Sequence, residues 1–463
     1  MHIRNRSLAL IVLFSLLLGS SAHAAIPKAG SKCTKLGATA IGSNKKFTCI
    51  KSGSKLVWNK GVAIPVTPKP SSTPVQPSPS PSSSASASPA PSIKTSNLSD
   101  YRPIKDCELI NAGQNDDVNQ SHATRASLPV DTKRNIRVLI FSIDFPDLKS
   151  TSQNAPDFKD LISQIDTFYT SMSNGKINFT WTISPKFERM KKTIESYGVG
   201  SRAAGSVWQL NNDIQDLAFQ NYKKEDFDVV IGSAPTTTTR EQIASSPAFP
   251  TRDAKYKPAT YLGGDYWSNR QSWTIPAHEF GHFALGLADL YDFKSSMLGQ
   301  AGFEQQFQYM GVYDMMNYAE GAGLEFSAWN RWIGKLITES QMLCLPNTST
   351  TTLLKPIEDT KSEIKGIVVP LTKSSALVIE NRAAIGFDKA LPSGAQGIIV
   401  YEVDTSIETG YGPMRIIRKA GSKDVWFKDN AMKNGDSITH LGYTIKVVGS
   451  SGSNYYVEVL KQG

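Results

Sequence analysis

Two arginines open the chain and an apolar run from Leu8 to Leu18 follows, closed by Ala22, His23 and Ala24 as a small-x-small site. This is the pattern of a secretory signal peptide over residues 1–24, cleaved after Ala24. An eleven-residue run is well short of the ~20 residues a membrane-spanning helix needs, and no later segment is long and apolar enough to replace it. Residues 25–60 alternate short strand-like pieces with Gly and Ser-Asn turns. From Pro65 to Ser92 proline and serine make up roughly two-thirds of the positions; that stretch reaches at most ~90 Å at about 3 Å per residue, and residues 61–99 read as an extended linker.

Regular patterning resumes near Tyr101. RVLIFSIDF, from Arg137 to Phe145, is rich in branched and aromatic residues and predicts a strand; DFKDLISQIDTFYTSMSNG predicts a helix ending at Gly175; KINFTWTI predicts a second strand. The motif region then follows as a helix. Beyond Pro346 strands succeed one another with Gly, Asn and Asp turns between them: IKGIVVPL, SALVIEN, GIIVYEVD, YTIKVVG and NYYVEVL. The organisation expected is therefore an α+β domain over 100–345 and an all-β, sandwich-like domain over 346–463, preceded by a small module. No internal repeat occurs at solenoid or propeller periods.

Charge and cysteine content refine this picture. The formal net charge is +9, but residues 25–99 hold ten lysines and no acid, so residue 100 onward sums to about −3 once Arg4 and Arg6 leave with the signal. A nucleic-acid partner for the main body has no support. The lysine-rich module has two readings, a contact with an anionic cell-wall polymer or an ordinary solvated surface. Export favours disulfides over free thiols. Cys33 and Cys49 share one small segment and are expected to pair there, which would compensate for a core too small to hold by burial alone. Cys107 and Cys344 are then partners by elimination, clasping the start of the central region to its end. No CxxC pair supports a cysteine zinc site instead.

The chemistry sits in TIPAHEFGHFALGLADLYD, Thr274 to Asp292. On a helix, His278 and His282 lie one turn apart on one face and can bind one metal ion. Glu279 stands about 100° further round, where it can take a proton from a water that the metal acidifies. The rival reading is a pair of ordinary helix histidines. Against it, only four histidines remain after the signal, and two of them stand here among small and apolar residues.

HEFGHFALGLADLYD resembles the zinc motif of the immune inhibitor A family of secreted metallopeptidases. VLIFSIDFPD, FYTSMSNGKINFTW, GVYDMMNYAEG, FSAWNRWIGKL and ALVIENRAAIGFDKALPSGAQGIIVYEVD agree with that family in the same order, so the resemblance spans roughly residues 135–450. The small module over 25–60 resembles the Cys-Thr, Cys-Val/Ile-Lys, Trp-containing modules, of unknown function, appended to secreted actinobacterial proteins. The family resemblance implies a zincin-like domain with His278, His282 and Asp289 as zinc ligands and Glu279 as general base. It also implies a methionine turn at Met316, calcium as a second, structural ion with Asp144 and Asp147 as nearby acids, and protein or peptide substrates outside the cell. Tyr318, two residues past Met316, stands where some metzincins carry a tyrosine near the zinc or the oxyanion; a phenol in the cleft wall is the alternative.

One departure bears on the third ligand. The family places its glycine seven residues after the first histidine and its aspartate ten after, whereas Gly286 is at eight and Asp289 at eleven. The extra residue must be absorbed by a longer last turn or a local bulge; until it is, Asp292, Glu304 and Glu320 remain rival ligands. Two functions follow: a secreted zinc endopeptidase, or a wall- or glycan-binding surface protein carrying a degenerate zincin domain. Whether residues between the linker and Arg137 are a propeptide stays open at this level.

Overall fold

The computed structural model describes residues 29–33, 36, 39–42, 45–63, 93–113, 121, 134–200, 206–244, 255–268, 273–294, 303–346, 348–361 and 363–462. The signal peptide and most of the Pro/Ser linker lie outside them. The chain forms two compact units, residues 1–88 and 89–463. In the first, the long strand β2 (Lys45–Ser52) pairs antiparallel with β1 (Thr39–Gly42), β3 (Lys55–Trp58) and β4 (Val62–Ala63). Its buried residues are few, Cys33, Phe47 and Cys49 among them. The Cys33 to Cys49 disulfide, with Cα atoms 5.9 Å apart, supplies the cross-link that so small a core requires.

The second unit begins with helix and strand mixed. Its elements are β5 (Arg134–Asp144), α1 (Lys159–Met172), β6 (Ile177–Ile183), β7 (Glu188–Arg189), α2 (Ile194–Tyr197), α3 (Val207–Ala218), β8 (Val229–Ser233), β9 (Ala259–Leu262), α4 (Gly264–Ser268), α5 (Thr274–Leu285), α6 (Phe303–Gln306) and α7 (Ala328–Ile333). Strands β6, β5, β8 and β9 lie in that order, all parallel, with β7 also along β5. A parallel sheet covered on both faces accounts for the unbroken apolar run of β5. Ile136, Val138 and Ile140 point to a core shared with α1 and α5, while Leu139, Phe141 and Ile143 point to one shared with α3. The stripe Leu161, Ile165, Phe168, Tyr169 and Met172 is the face that α1 buries.

Nine further strands follow: β10 (Met342–Cys344), β11 (Thr350–Leu354), β12 (Gly366–Pro370), β13 (Ser375–Arg382), β14 (Gly397–Asp404), β15 (Met414–Ile416), β16 (Ser437–His440), β17 (Tyr443–Ser451) and β18 (Asn454–Lys461). All five strands expected in the tail are present. They form a sheet ordered β10-β12-β13-β14-β15 and another ordered β11-β18-β17-β16. Leu377, Ile379, Ile398 and Val400 of the first meet Ile445, Val447, Val457 and Val459 of the second in one core, as in a β-sandwich. The first sheet's other face is also buried: Val368, Ala376, Val378 and Tyr401 join the core that holds α1 and α5. Every residue of β13 is buried as a result. The Cys107 to Cys344 disulfide forms as expected, with Cα atoms 5.6 Å apart. It ties the segment 93–113 to β10, and Ser96, Arg102 and Ile110 add backbone hydrogen bonds to Thr351, Cys344 and Lys373.

Candidate metal centre

Helix α5, TIPAHEFGHFAL, is apolar nearly all round, and a helix of that kind is stable only when enclosed. Its Pro276 falls in the first turn, where the missing N–H costs nothing. Phe280, Ala277 and Ala284 enter the core shared with α1, and the Tyr169 hydroxyl donates to the Ala277 carbonyl at 2.6 Å. His278, Glu279 and His282 are buried too, each about 7% exposed. Their ligand atoms lie within 4.8 Å of one another, the arrangement of a site that could hold a divalent metal.

The helix continues to Leu285 and stops at Gly286, whose φ of +71° is left-handed. Gly286 N–H donates to His282 O at 2.7 Å and Leu287 N–H to Gly281 O at 3.0 Å, the paired bonds of a glycine-closed helix end. The chain then turns back so that Asp289 Oδ1 lies 3.0 Å from His278 Nε2 and 3.2 Å from His282 Nε2. The two Nε2 atoms are 3.2 Å apart.

What these three atoms face is set by the far side of each ring. His278 Nδ1 meets the Met315 carbonyl at 3.0 Å and His282 Nδ1 the Leu287 carbonyl at 2.7 Å. Carbonyls only accept, so each Nδ1 carries a proton, and in the neutral ring, the form that binds a metal, each Nε2 presents a lone pair. Two lone pairs and a carboxylate oxygen converging in a buried pocket repel unless a cation sits among them, so the donor set fits a divalent metal and its N/O composition suits zinc. The same crowding shifts the ionisations. Burial lowers the pKa of both imidazoles, but the hydrogen bond to Asp289 and the nearby carboxylate charges outweigh it; His278 is raised and His282 is raised to about 9. Burial raises Asp289, yet the two imidazoles pull it well below the ordinary carboxylate range.

Met316 is fully buried, and its turn underlies the site. A Cβ on Gly281 would come within 2.6 Å of Met316 Sδ, so only glycine lets the turn approach between the two histidines. Asp314, at φ +69°, holds the turn by accepting from Met316 N–H at 2.9 Å and from Ser327 N–H and Asn330 Nδ2 at 2.8 Å. Leu290 N–H donates to Met316 O at 3.0 Å, joining the Asp289 segment to it.

The Tyr318 ring stacks on Phe307 at 4.1 Å and tilts against Trp426. The tyrosine beside the histidines is Tyr291, whose ring centroid is 6.2 Å from that of His278. Burial first, then the charges of Asp289 and Glu279 and a hydrogen bond to Asp289, push its hydroxyl well above the usual phenol range. Nothing in the sequence marks Tyr291. Among the rival ligands, Asp292 accepts from Lys294 N–H and Gln308 Nε2, Glu320 is exposed, and the Glu304 side chain lies outside the described residues. The acids linked with calcium are engaged within the protein: Asp144 is bidentate with Arg189 at 2.5 and 2.8 Å, and Asp147 accepts from the Ile194 and Glu195 amides. Among the described residues no helix is long and apolar enough to cross a membrane. Comparison with models of known protein families and with curated proteins finds no match to this chain.

Proposed function

We propose that the chain is a zinc-dependent endopeptidase, similar to the immune inhibitor A family, that cleaves proteins outside the cell. The observation that carries this reading is the convergence of His278 Nε2, His282 Nε2 and Asp289 Oδ1 with both Nδ1 atoms tied to backbone carbonyls. Those three residues would hold the metal. Zinc, when bound, supplies Lewis acidity that acidifies a water and polarises the scissile carbonyl. Glu279, buried beside the histidines, takes the proton from that water and returns it to the leaving amine. Tyr318 is the proposed donor to the developing oxyanion. Calcium is proposed as a structural ion, and the lysine-rich N-terminal module as a contact with anionic wall polymer.

The alternative of a binding protein with a decayed zincin rests on a displaced third ligand, and the approach of Asp289 to both imidazoles speaks against it. Glu279→Gln tests the catalytic reading. The variant is expected to bind one zinc per chain and to lose casein cleavage by several orders of magnitude. Cleavage at the wild-type rate would remove Glu279 as the base, and purified wild type that takes up no zinc would remove the peptidase reading itself.

A further inference from the structure

Asp289 belongs to no helix or strand, and it lies beyond a left-handed glycine that lets the chain leave α5 in a new direction. Something outside the motif must therefore fix where its carboxylate stands. The loop between β14 and β15 does so from 120 residues away. Asp289 N–H donates to Thr409 Oγ1 at 2.9 Å, and Gly410 N–H donates to Asp289 O at 2.9 Å. Phe293 N–H then donates to Gly410 O, again at 2.9 Å. Two consecutive loop residues thus occupy both backbone polar groups of Asp289 and bracket the segment that follows. Packing reinforces the bracket: Gly410 has φ +74°, and a Cβ there would come within 2.2 Å of the Phe293 ring. Tyr411 closes over the same ring at 6.1 Å.

We infer that Thr409 and Gly410, in the β-rich region, are positioning residues for the metal centre, holding Asp289 where its carboxylate completes the site. The inference rests on the metal-site reading above. It makes the β-rich region part of the centre's construction as well as a neighbour in the core. Partners that orient a ligand typically change metal affinity by about 10–100-fold when lost. Thr409 acts only through Asp289, so its effect must vanish when the Asp289 carboxylate is gone.

The test uses the full chain and zinc alone, with affinity measured by competition against a chromogenic chelator. Thr409→Val keeps the shape and removes the acceptor; it is expected to weaken zinc about tenfold or more, with Thr409→Ser restoring wild-type affinity. In an Asp289→Ala background, Thr409→Val should change affinity less than about twofold. Thr409→Ala, which also lacks the hydroxyl, serves if the valine variant does not fold. Wild-type zinc affinity in both Thr409→Val and Thr409→Ala, or an equal loss with and without the Asp289 carboxylate, would overturn the inference while leaving the metal site standing. A wild-type protein that binds no zinc would overturn the metal site first.

Discussion

Two tyrosines distinguish what contact does from what sequence position suggests. The Tyr291 ring lies 6.2 Å from that of His278 and its hydroxyl is raised by burial and by the Asp289 charge, so Tyr291→Phe should weaken zinc binding by no more than the roughly tenfold that losing a ligand's partner costs. Tyr318→Phe keeps the stack on Phe307 and removes only the hydroxyl; as oxyanion donor, its loss should lower kcat by about 100-fold, as for other such donors, with zinc affinity unchanged. Chelator competition and peptide kinetics on the two variants separate these effects, and an unchanged kcat in Tyr318→Phe would leave that ring as cleft wall alone. His278, Glu279 and His282 were legible because one helical turn relates them and local geometry suffices. Asp289 was legible only through resemblance, because its position depends on Leu287, Gly286 and contacts more than a hundred residues away. Tyr291 left no trace in the pattern, since a tyrosine two residues past an aspartate has no periodic meaning until the chain is folded.

At the level of elements, the end of α5 decides the direction in which the Asp289 segment leaves the helix. Gly286 adopts φ +71°, a conformation that costs an alanine about 1–2 kcal/mol, against a gain of about 0.4–1 kcal/mol from a stiffer unfolded chain. The conformational cost is the larger, so Gly286→Ala should destabilise by up to about 1.6 kcal/mol. It should also weaken zinc, because the Asp289 segment leaves the helix from this residue; denaturant midpoints and chelator competition read the two effects separately. Strands of the tail were legible for a simple reason: GIIVYEVD and SALVIEN are apolar runs of strand length bounded by turn residues, and β14 and β13 coincide with them within a residue. Short strands such as β10 and β15, three residues each, carry too few positions for a period to show. Helix α3 was not legible because its buried face mixes polar Asn211 and Gln215 with Leu210, Ile214 and Ala218, which blurs the apolar period.

Across the whole molecule, the helix/strand region and the first sheet of the β-rich region meet at a buried ionic cluster. Arg382 forms ion pairs with Glu358 at 3.1 Å, Glu380 at 3.0 Å and Asp388, and Arg331 with Glu325 at 2.5 Å. The Arg382 side chain is wholly buried, so Arg382→Met leaves carboxylates without their cation and should cost about 3–5 kcal/mol. Burial holds the carboxyls of Glu358 and Asp388 above their ordinary values. Such groups keep protons in the folded state that the unfolded chain has released, so stability falls as pH rises from about 4.5. Glu358→Gln, which cannot ionise, should flatten that fall; thermal midpoints of both proteins at pH 5 and pH 8 give the comparison, and parallel slopes would exclude Glu358 as the source. The segment 93–113 has a different consequence, for the order of events in synthesis. Its partners are Cys344, Thr351 and Lys373, so the earliest part of this unit to be made must wait for some of the latest, as must Asp289 for Thr409. Chains ending at Asp404, which lack the Thr409 and Gly410 contacts, should therefore bind zinc at least about tenfold more weakly than the full chain although His278, His282 and Asp289 are all present, and on the proposed reading tight metal binding would wait until the tail is made.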